Sequence, residues 1–180
     1  MEGMYREVEG DLIMMALTGE FDVVAHGCNC QCKQMSGLAP QMVKAFATDK
    51  YSLEDNSLKG NINKLGQIEY EVRMISTEGI ARTVFKGASI LDMDDEPLYV
   101  VNAYTQFNYG QNHIDGDSVP LDYEALTLCM RKINKIFMGM RIGLPRIGCG
   151  LAGGRWSVVK GIIQKELKDC QVTIVNYKNV

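Results

Sequence analysis

Apolar positions along the chain fall into two spacings, short continuous runs and segments with a helical period. Val23-Val-Ala-His26 is a short apolar run that predicts a buried strand. Residues 38–47 carry apolar side chains at helical spacing, with Pro40 in the first turn, and predict a helix. Residues 50–64 are polar and rich in Asn, Ser and Gly, which predicts a surface excursion. Stretches 66–74 and 81–91 alternate enough to be strands, joined through Gly79 as an extended hairpin. Residues 97–105 predict the next strong strand, followed by a long polar loop over 108–118. The clearest amphipathic helix covers 121–137, with Leu126, Met130, Ile133 and Phe137 on one stripe and Asp122 near its start. A buried strand over 140–147, a second helix over 156–167 and a final strand over 172–177 complete the pattern. Strands alternating with helices around a β-rich middle predict a three-layer α/β/α domain with a mixed central sheet.

Composition narrows the choice. A length of 180 residues suits one domain spanning 1–180, and 46% hydrophobic residues are enough for a packed core. The formal net charge of −3, without a basic run, argues against binding nucleic acid as a polyanion. A small anion is a different matter, because backbone N–H groups hold one without net positive charge. No apolar stretch approaches the ~20 residues of a membrane span. The amino terminus has neither a basic nor an apolar leader region, so no signal peptide is expected. Six cysteines without a framework-like spacing point to a reducing cytoplasm, and a monomer is expected.

The chemistry concentrates at Gly148-Cys-Gly-Leu-Ala-Gly-Gly154, between a predicted strand and a predicted helix. Glycines there let the backbone approach a ligand, and the following helix start favours an anionic group such as a diphosphate. A dinucleotide fingerprint would open the fold and be followed by further strand–helix units, whereas one helix and one strand remain after this loop. A Walker loop would continue Gly-Lys-Ser/Thr, and here Gly154-Arg-Trp follows. The loop therefore fits a phosphate cradle of another kind.

Near the amino terminus, Glu9-Gly10-Asp11-Leu12 follows the strand-like Tyr5-Arg-Glu-Val8. A carboxylate at a strand end accepts a hydrogen bond from an exocyclic amine such as that of adenine. Asp11 equally suits a helix N-cap, which its position alone favours. His26 and Asn29 offer donors and acceptors that can orient a ribose hydroxyl or a water; alone, they read as a core histidine and a turn residue. Cys28, Cys30 and Cys32 alternate on a segment expected to be extended, but no histidine stands at zinc-site spacing, so no metal is expected. A glycine loop at a helix start would lower the pKa of Cys149, yet no base can be named for it as a nucleophile.

Together these pieces resemble the macro domain family, over nearly the whole chain and in the expected order. The resemblance rests on Gly10-Asp11-Leu12, Val23-Val-Ala-His26-Gly-Cys-Asn29, Met35-Ser-Gly37-Leu-Ala39 and, most specifically, Pro145-Arg-Ile-Gly-Cys-Gly-Leu151. That last run is similar to the branch of terminal ADP-ribose–protein glycohydrolases and ADP-ribose-1″-phosphate phosphatases, with bacterial and bacteriophage relatives. The resemblance implies that Asp11 holds the adenine amine and Leu12 adds backbone contact. It implies that Asn29, Ser36, Gly37 and Leu38 wrap the distal ribose. Gly148, Cys149, Gly150, Leu151, Ala152 and Gly153 would hold the diphosphate, and Asn176 or Tyr177 would border the adenine. His26 matches a histidine proposed for catalysis in the phosphatase-like members.

The implied partner is ADP-ribose or an ADP-ribosylated molecule, bound without cofactor or metal; a nucleic acid enters only as an ADP-ribosylated substrate. The implied activity is hydrolysis of ADP-ribose-1″-phosphate or of an ADP-ribosyl ester by a non-covalent route using His26 and Asn29. The alternative is a non-catalytic reader or scavenger. In its favour, the strand run Val100-Val-Asn-Ala-Tyr104 lacks the lysine of the glycohydrolases, and Ala152 stands where they carry an aspartate.

Overall fold

The computed structural model describes residues 4–83, 94–109 and 119–177. In chain order these form β1 (Tyr5–Gly10), α1 (Leu12–Leu17), β2 (Val23–Asn29) and α2 (Ala39–Phe46). A run of 3-10 turns over 48–64 leads to β3 (Ile68–Ile75), β4 (Ala81–Thr83) and β5 (Glu96–Gln106). The chain ends with α3 (Tyr123–Ile136), β6 (Arg141–Leu144), α4 (Trp156–Glu166) and β7 (Gln171–Tyr177). The seven strands make one sheet in the order β1-β7-β6-β2-β5-β3-β4. The first five in that order run parallel; β3 and β4 are antiparallel additions at one edge, so the sheet is mixed.

The pleat sorts each strand's side chains between two cores. In β2, Val23 and Ala25 join the cluster built with Leu126, Met130 and Ile133 of α3 and Val159 and Ile163 of α4. Val24 faces the other cluster, with Leu12, Ile13 and Ala16 of α1 and Met42 and Phe46 of α2. The central strands are thus buried on both faces, which is why they read as continuous apolar runs. The result is the expected three-layer α/β/α architecture.

Local departures from the predicted pattern have physical causes. Helix α1 is six residues long and wholly apolar, LIMMAL, so it shows no polar face from which a helical period could be read. Its start is fixed by Asp11, whose Oδ1 accepts from the N–H groups of Ile13 and Met14 at 2.9 and 3.0 Å. Strand β6 stops at Leu144, earlier than predicted, because Pro145 brings no N–H to a ladder. The 48–64 stretch is more than a surface excursion. Thr48, Tyr51, Glu54 and Lys64 are buried within it, and the Tyr51 hydroxyl donates to the carbonyl of Val100. The hairpin through Gly79 is present as far as Thr83; the rest of the strand expected over 81–91 lies outside the described residues, as does most of the 108–118 loop. Among the described residues no helix is long and apolar enough to cross a membrane.

Leu126 sits fully buried between α3 and the sheet. Leu126→Ala is expected to cost about 2–5 kcal/mol in chemical denaturation, without a change in the denaturant slope.

Candidate functional site

Because β1, β2, β6 and β7 are parallel, their carboxyl ends gather along one edge of the sheet. A cleft opens there, the usual place for a ligand in an open α/β sheet. One lobe, of about 690 Å³, lies over the ends of β1 and β7, with Gly10, Leu12, Asn176 and Tyr177 in its wall. The other, of about 530 Å³, lies over the end of β2 and is lined in part by His26, Asn29, Lys33, Ser36 and Tyr109. Gly37, Leu38, Pro145, Arg146 and Gly150 line both lobes and form the saddle between them.

Two backbone segments meet at that saddle. On one side is the start of α2, where Leu38 is the capping residue and no side chain satisfies the first turn. On the other is the 145–154 loop, whose shape depends on glycine. Gly148 has a φ of +74°, and a Cβ there would stand 2.6 Å from Leu121 Cδ1. Gly154 donates its N–H to the Gly148 carbonyl at 2.8 Å and so closes the loop. At Gly150, by contrast, a Cβ would meet nothing within 4 Å, because this residue faces the open cleft. The N–H groups of Gly150, Leu151 and Ala152 donate to no acceptor among the described residues. Successive unpartnered N–H groups opposite a helix start suit an anion.

His26 is buried at the floor of the β2 lobe. Its Nε2 lies 2.8 Å from Asn102 Oδ1 on β5, and Asn102 Nδ2 donates to the Thr48 carbonyl at 2.8 Å. The second bond orients the amide, so Oδ1 is the atom that faces the ring and Nε2 carries the proton. Nδ1 is then the basic nitrogen, and it has no partner among the described residues. Burial lowers the imidazole pKa to about 4, against a smaller opposing effect of the Asn102 bond, so the ring is neutral at physiological pH.

Asn29 is largely committed to the turn that follows β2. Its Nδ2 donates to the Lys33 carbonyl at 2.7 Å, and its Oδ1 accepts the Lys33 N–H at 3.1 Å. One N–H and one lone pair remain for other partners. The clamp places Lys33 at the lobe, its ammonium donating to the Tyr109 hydroxyl at 2.5 Å and lying 4.2 Å from the ring centre. Among the described residues, those lining this lobe include Lys33 and Arg146 but no carboxylate. In the saddle, the Arg146 guanidinium packs over Trp156 at 5.1 Å and its Nε donates to Asn176 Oδ1 at 2.8 Å.

The cleft gathers His26, Asn29, Leu12, Ser36, Gly37, Leu38, Asn176 and Tyr177 with residues 148–152 of the loop. Asp11 and Gly153 stand outside the lining: Asp11 caps α1 between the lining residues Gly10 and Leu12, and Gly153 packs towards Val119. The expected low pKa at Cys149 is not found. Burial pushes this thiol up, and it lies in a turn well before Trp156, where α4 begins, so the helix start does not act on it. The three early thiols do not converge either, since β2 ends at Asn29 and Cys32 adopts a φ of +55°, which breaks the alternation. Among the described residues no group of three or more His, Cys, Asp or Glu is placed to hold a metal.

Sequence reasoning missed Asn102, Lys33, Tyr109 and Trp156 as site residues. A polar Asn102 inside the apolar run 97–105 was a usable signal; Lys33 offered none, because its place depends on the Asn29 clamp.

No family model matches the chain. An uncharacterized 17.5 kDa protein of Enterobacteria phage T4, from the tk-vs intergenic region, is 29% identical over 178 residues, covering 95% of each chain. Among solved structures, a Bacteroides thetaiotaomicron protein of unknown function superposes with a TM-score of 0.67 at 22% identity, over 97% of this chain and 98% of that one. The macrodomain of Thermus aquaticus DarG gives 0.62 at 21% identity, over 98% and 99%. Thermosipho africanus DarTG in complex with ADP-ribose gives 0.64 at 19% identity, over 97% of this chain and 42% of that one. With its mixed sheet, its flanking helices and a cleft at the carboxyl ends of the parallel strands, this chain has the macrodomain fold.

Proposed function

We propose that the chain binds ADP-ribose along the two-lobed cleft and hydrolyses a derivative substituted at the distal ribose. The observation that carries the first part is the saddle. Gly150, whose N–H meets no acceptor among the described residues, lies with the start of α2 at the junction of the lobes, and the free N–H groups of Leu151 and Ala152 follow it into the lobe over β2, which suits a diphosphate joining two bulkier groups. The adenosine then occupies the lobe beside Asn176 and Tyr177, and the distal ribose the lobe above His26. Asp11 reaches the adenine amine only with the carboxylate oxygen that does not cap α1. The ADP-ribose complex of Thermosipho africanus DarTG, a protein of similar fold, supports the ligand assignment.

For hydrolysis, the supporting feature is the Nδ1 lone pair of His26, left without a partner while the Asn102 bond occupies Nε2. In ADP-ribose-1″-phosphate or an ADP-ribosyl ester, Nδ1 takes a proton from water while the water oxygen attacks phosphorus or the acyl carbon. The bond to the distal ribose oxygen breaks, and Nδ1 returns its proton to that oxygen as it leaves. Lys33 and Arg146, in a lobe without a carboxylate among its described lining residues, favour an anionic substituent. The reader alternative has its own support: Ala152 is buried at the rim of this lobe where an acid would stand, and no lysine of β5 reaches the site.

Calorimetry with ADP-ribose tests the binding assignment, and absence of binding at high concentration would overturn it. Gly150→Val is expected to weaken binding by about tenfold or more, since its side chain enters the saddle, with little change in thermal midpoint because the space is open. Turnover assays on the phosphate and ester derivatives separate enzyme from reader. His26→Ala is expected to reduce turnover by about 10²-fold while binding persists. Binding without hydrolysis of either derivative leaves the reader.

The buried imidazole also predicts a pH signature. Its folded pKa of about 4 lies below the ordinary imidazole value of about 6.5, so the unfolded chain binds the proton more tightly. Stability from this group is complete above about 6.5 and is lost as pH falls towards 4, on the order of 3 kcal/mol in all. His26→Gln should flatten that part of a curve of thermal midpoint against pH; an unchanged slope would show that His26 is not the group responsible.

A further inference from the structure

Behind the cleft lies a buried polar cluster for which the nucleotide site has no use. Lys64, at the end of the 3-10 segment, is almost wholly buried. Its ammonium donates to the Cys30 carbonyl at 3.2 Å and lies 2.8 Å from the sulfur of Cys32, closer than an ordinary N–H···S contact. Glu54, also buried, accepts from the Tyr104 hydroxyl at 3.0 Å. The geometry is fixed from both sides. Cys32 is held by the turn after β2, where its N–H donates to the Asn29 carbonyl, and its thiol donates to the Leu53 carbonyl at 3.4 Å. Unlike Cys28 and Cys30, Cys32 keeps partial exposure, so a small oxidant reaches it.

We propose that Cys32 and Lys64 are a modification site, joined by a covalent nitrogen–sulfur crosslink when the protein meets a peroxide. In the first step the sulfur attacks hydrogen peroxide: an S–O bond forms, the O–O bond breaks, and Cys32 becomes a sulfenic acid with release of water. Lys64 gives up one ammonium proton to solvent. Its lone pair then attacks the sulfenyl sulfur from within reaction distance. The N–S bond forms, the S–O bond breaks, and the departing hydroxide leaves as water with a proton from nitrogen. Sulfur is oxidised by two electrons and one peroxide is reduced. A second peroxide carries the link one step further: its O–O bond breaks, the N–S bond gives way to an N–O and an O–S bond, and water leaves. Thiols reverse either link.

The crosslink would tie the turn that clamps Asn29 and positions Lys33 to the 3-10 segment, coupling oxidation to the rim of the cleft. Its existence is independent of the cleft's ligand. The test treats the whole protein with a small excess of hydrogen peroxide, digests it without reductant and maps it by mass spectrometry. The expected product is a joined pair of peptides containing Cys32 and Lys64, released by dithiothreitol. Its mass equals their sum less two hydrogen atoms, or that value plus one oxygen for the bridged form. The thermal midpoint should rise on oxidation and return on reduction, because the link closes a loop of the unfolded chain. Cys32→Ser should abolish the pair and Cys30→Ser should retain it. Lys64→Arg also removes it, but the map of the unmodified sequence decides the matter if that buried variant fails to fold. Oxidation that stops at sulfinic acid on Cys32, or that yields only a disulfide among the early cysteines, would overturn the proposal.

Discussion

The structure turns on what happens where β2 runs out of apolar residues. Its first three positions are buried between β5 and β6 and need only apolar neighbours on both faces. At His26 the strand is still buried but now carries a polar ring, and a buried polar group without a partner is costly. The bond to Asn102, itself held by the Thr48 carbonyl, meets that need at Nε2 and ties β2, β5 and the first 3-10 turn together. One consequence is chemical. The amide can face the ring only with its oxygen, which leaves the other ring nitrogen basic and turned away from the pair. The anchoring of the ring and the character of the site are settled by the same two hydrogen bonds.

The saddle follows similar logic in the backbone. A chain with net negative charge forms an anion-compatible cleft through N–H groups that its own fold leaves without acceptors. Those groups stay free because the loop closes on itself through Gly154 and Gly148, where side chains would collide with Leu121. Leu121, just ahead of α3, therefore acts as the anvil on which the loop is shaped, although it does not line the cleft.

Legibility in the sequence tracked the physical source of each feature. Helices α2, α3 and α4 and the central strands are set by the burial of one face or two, and periodicity records that directly. The glycine loop was readable because backbone approach demands glycine. What escaped depended on tertiary context. Helix α1 has no polar face to betray it, and the 48–64 segment buries Tyr51, Glu54 and Lys64 singly, at spacings that match no regular element. Asp11 was read for both of its possible uses, and the structure displays the cap. Lys33 reaches the cleft only because Asn29 spends most of its amide on the turn, a relation between two polar residues that no pattern of hydrophobicity records.

Arg146 illustrates what prior order can do for binding. Its guanidinium rests on the Trp156 ring, is anchored to Asn176, and has Glu7 within 3.8 Å, all before any ligand arrives. A flexible arginine gives up rotamer freedom when it grips an anion, and that loss is subtracted from affinity. Here the freedom has been surrendered during folding, so an incoming ligand meets a side chain already immobilised. The same restraint limits tolerance: an anion displaced along the cleft would have to break a stacked, hydrogen-bonded arrangement to recruit this charge, and geometry rather than charge alone becomes the basis of selection.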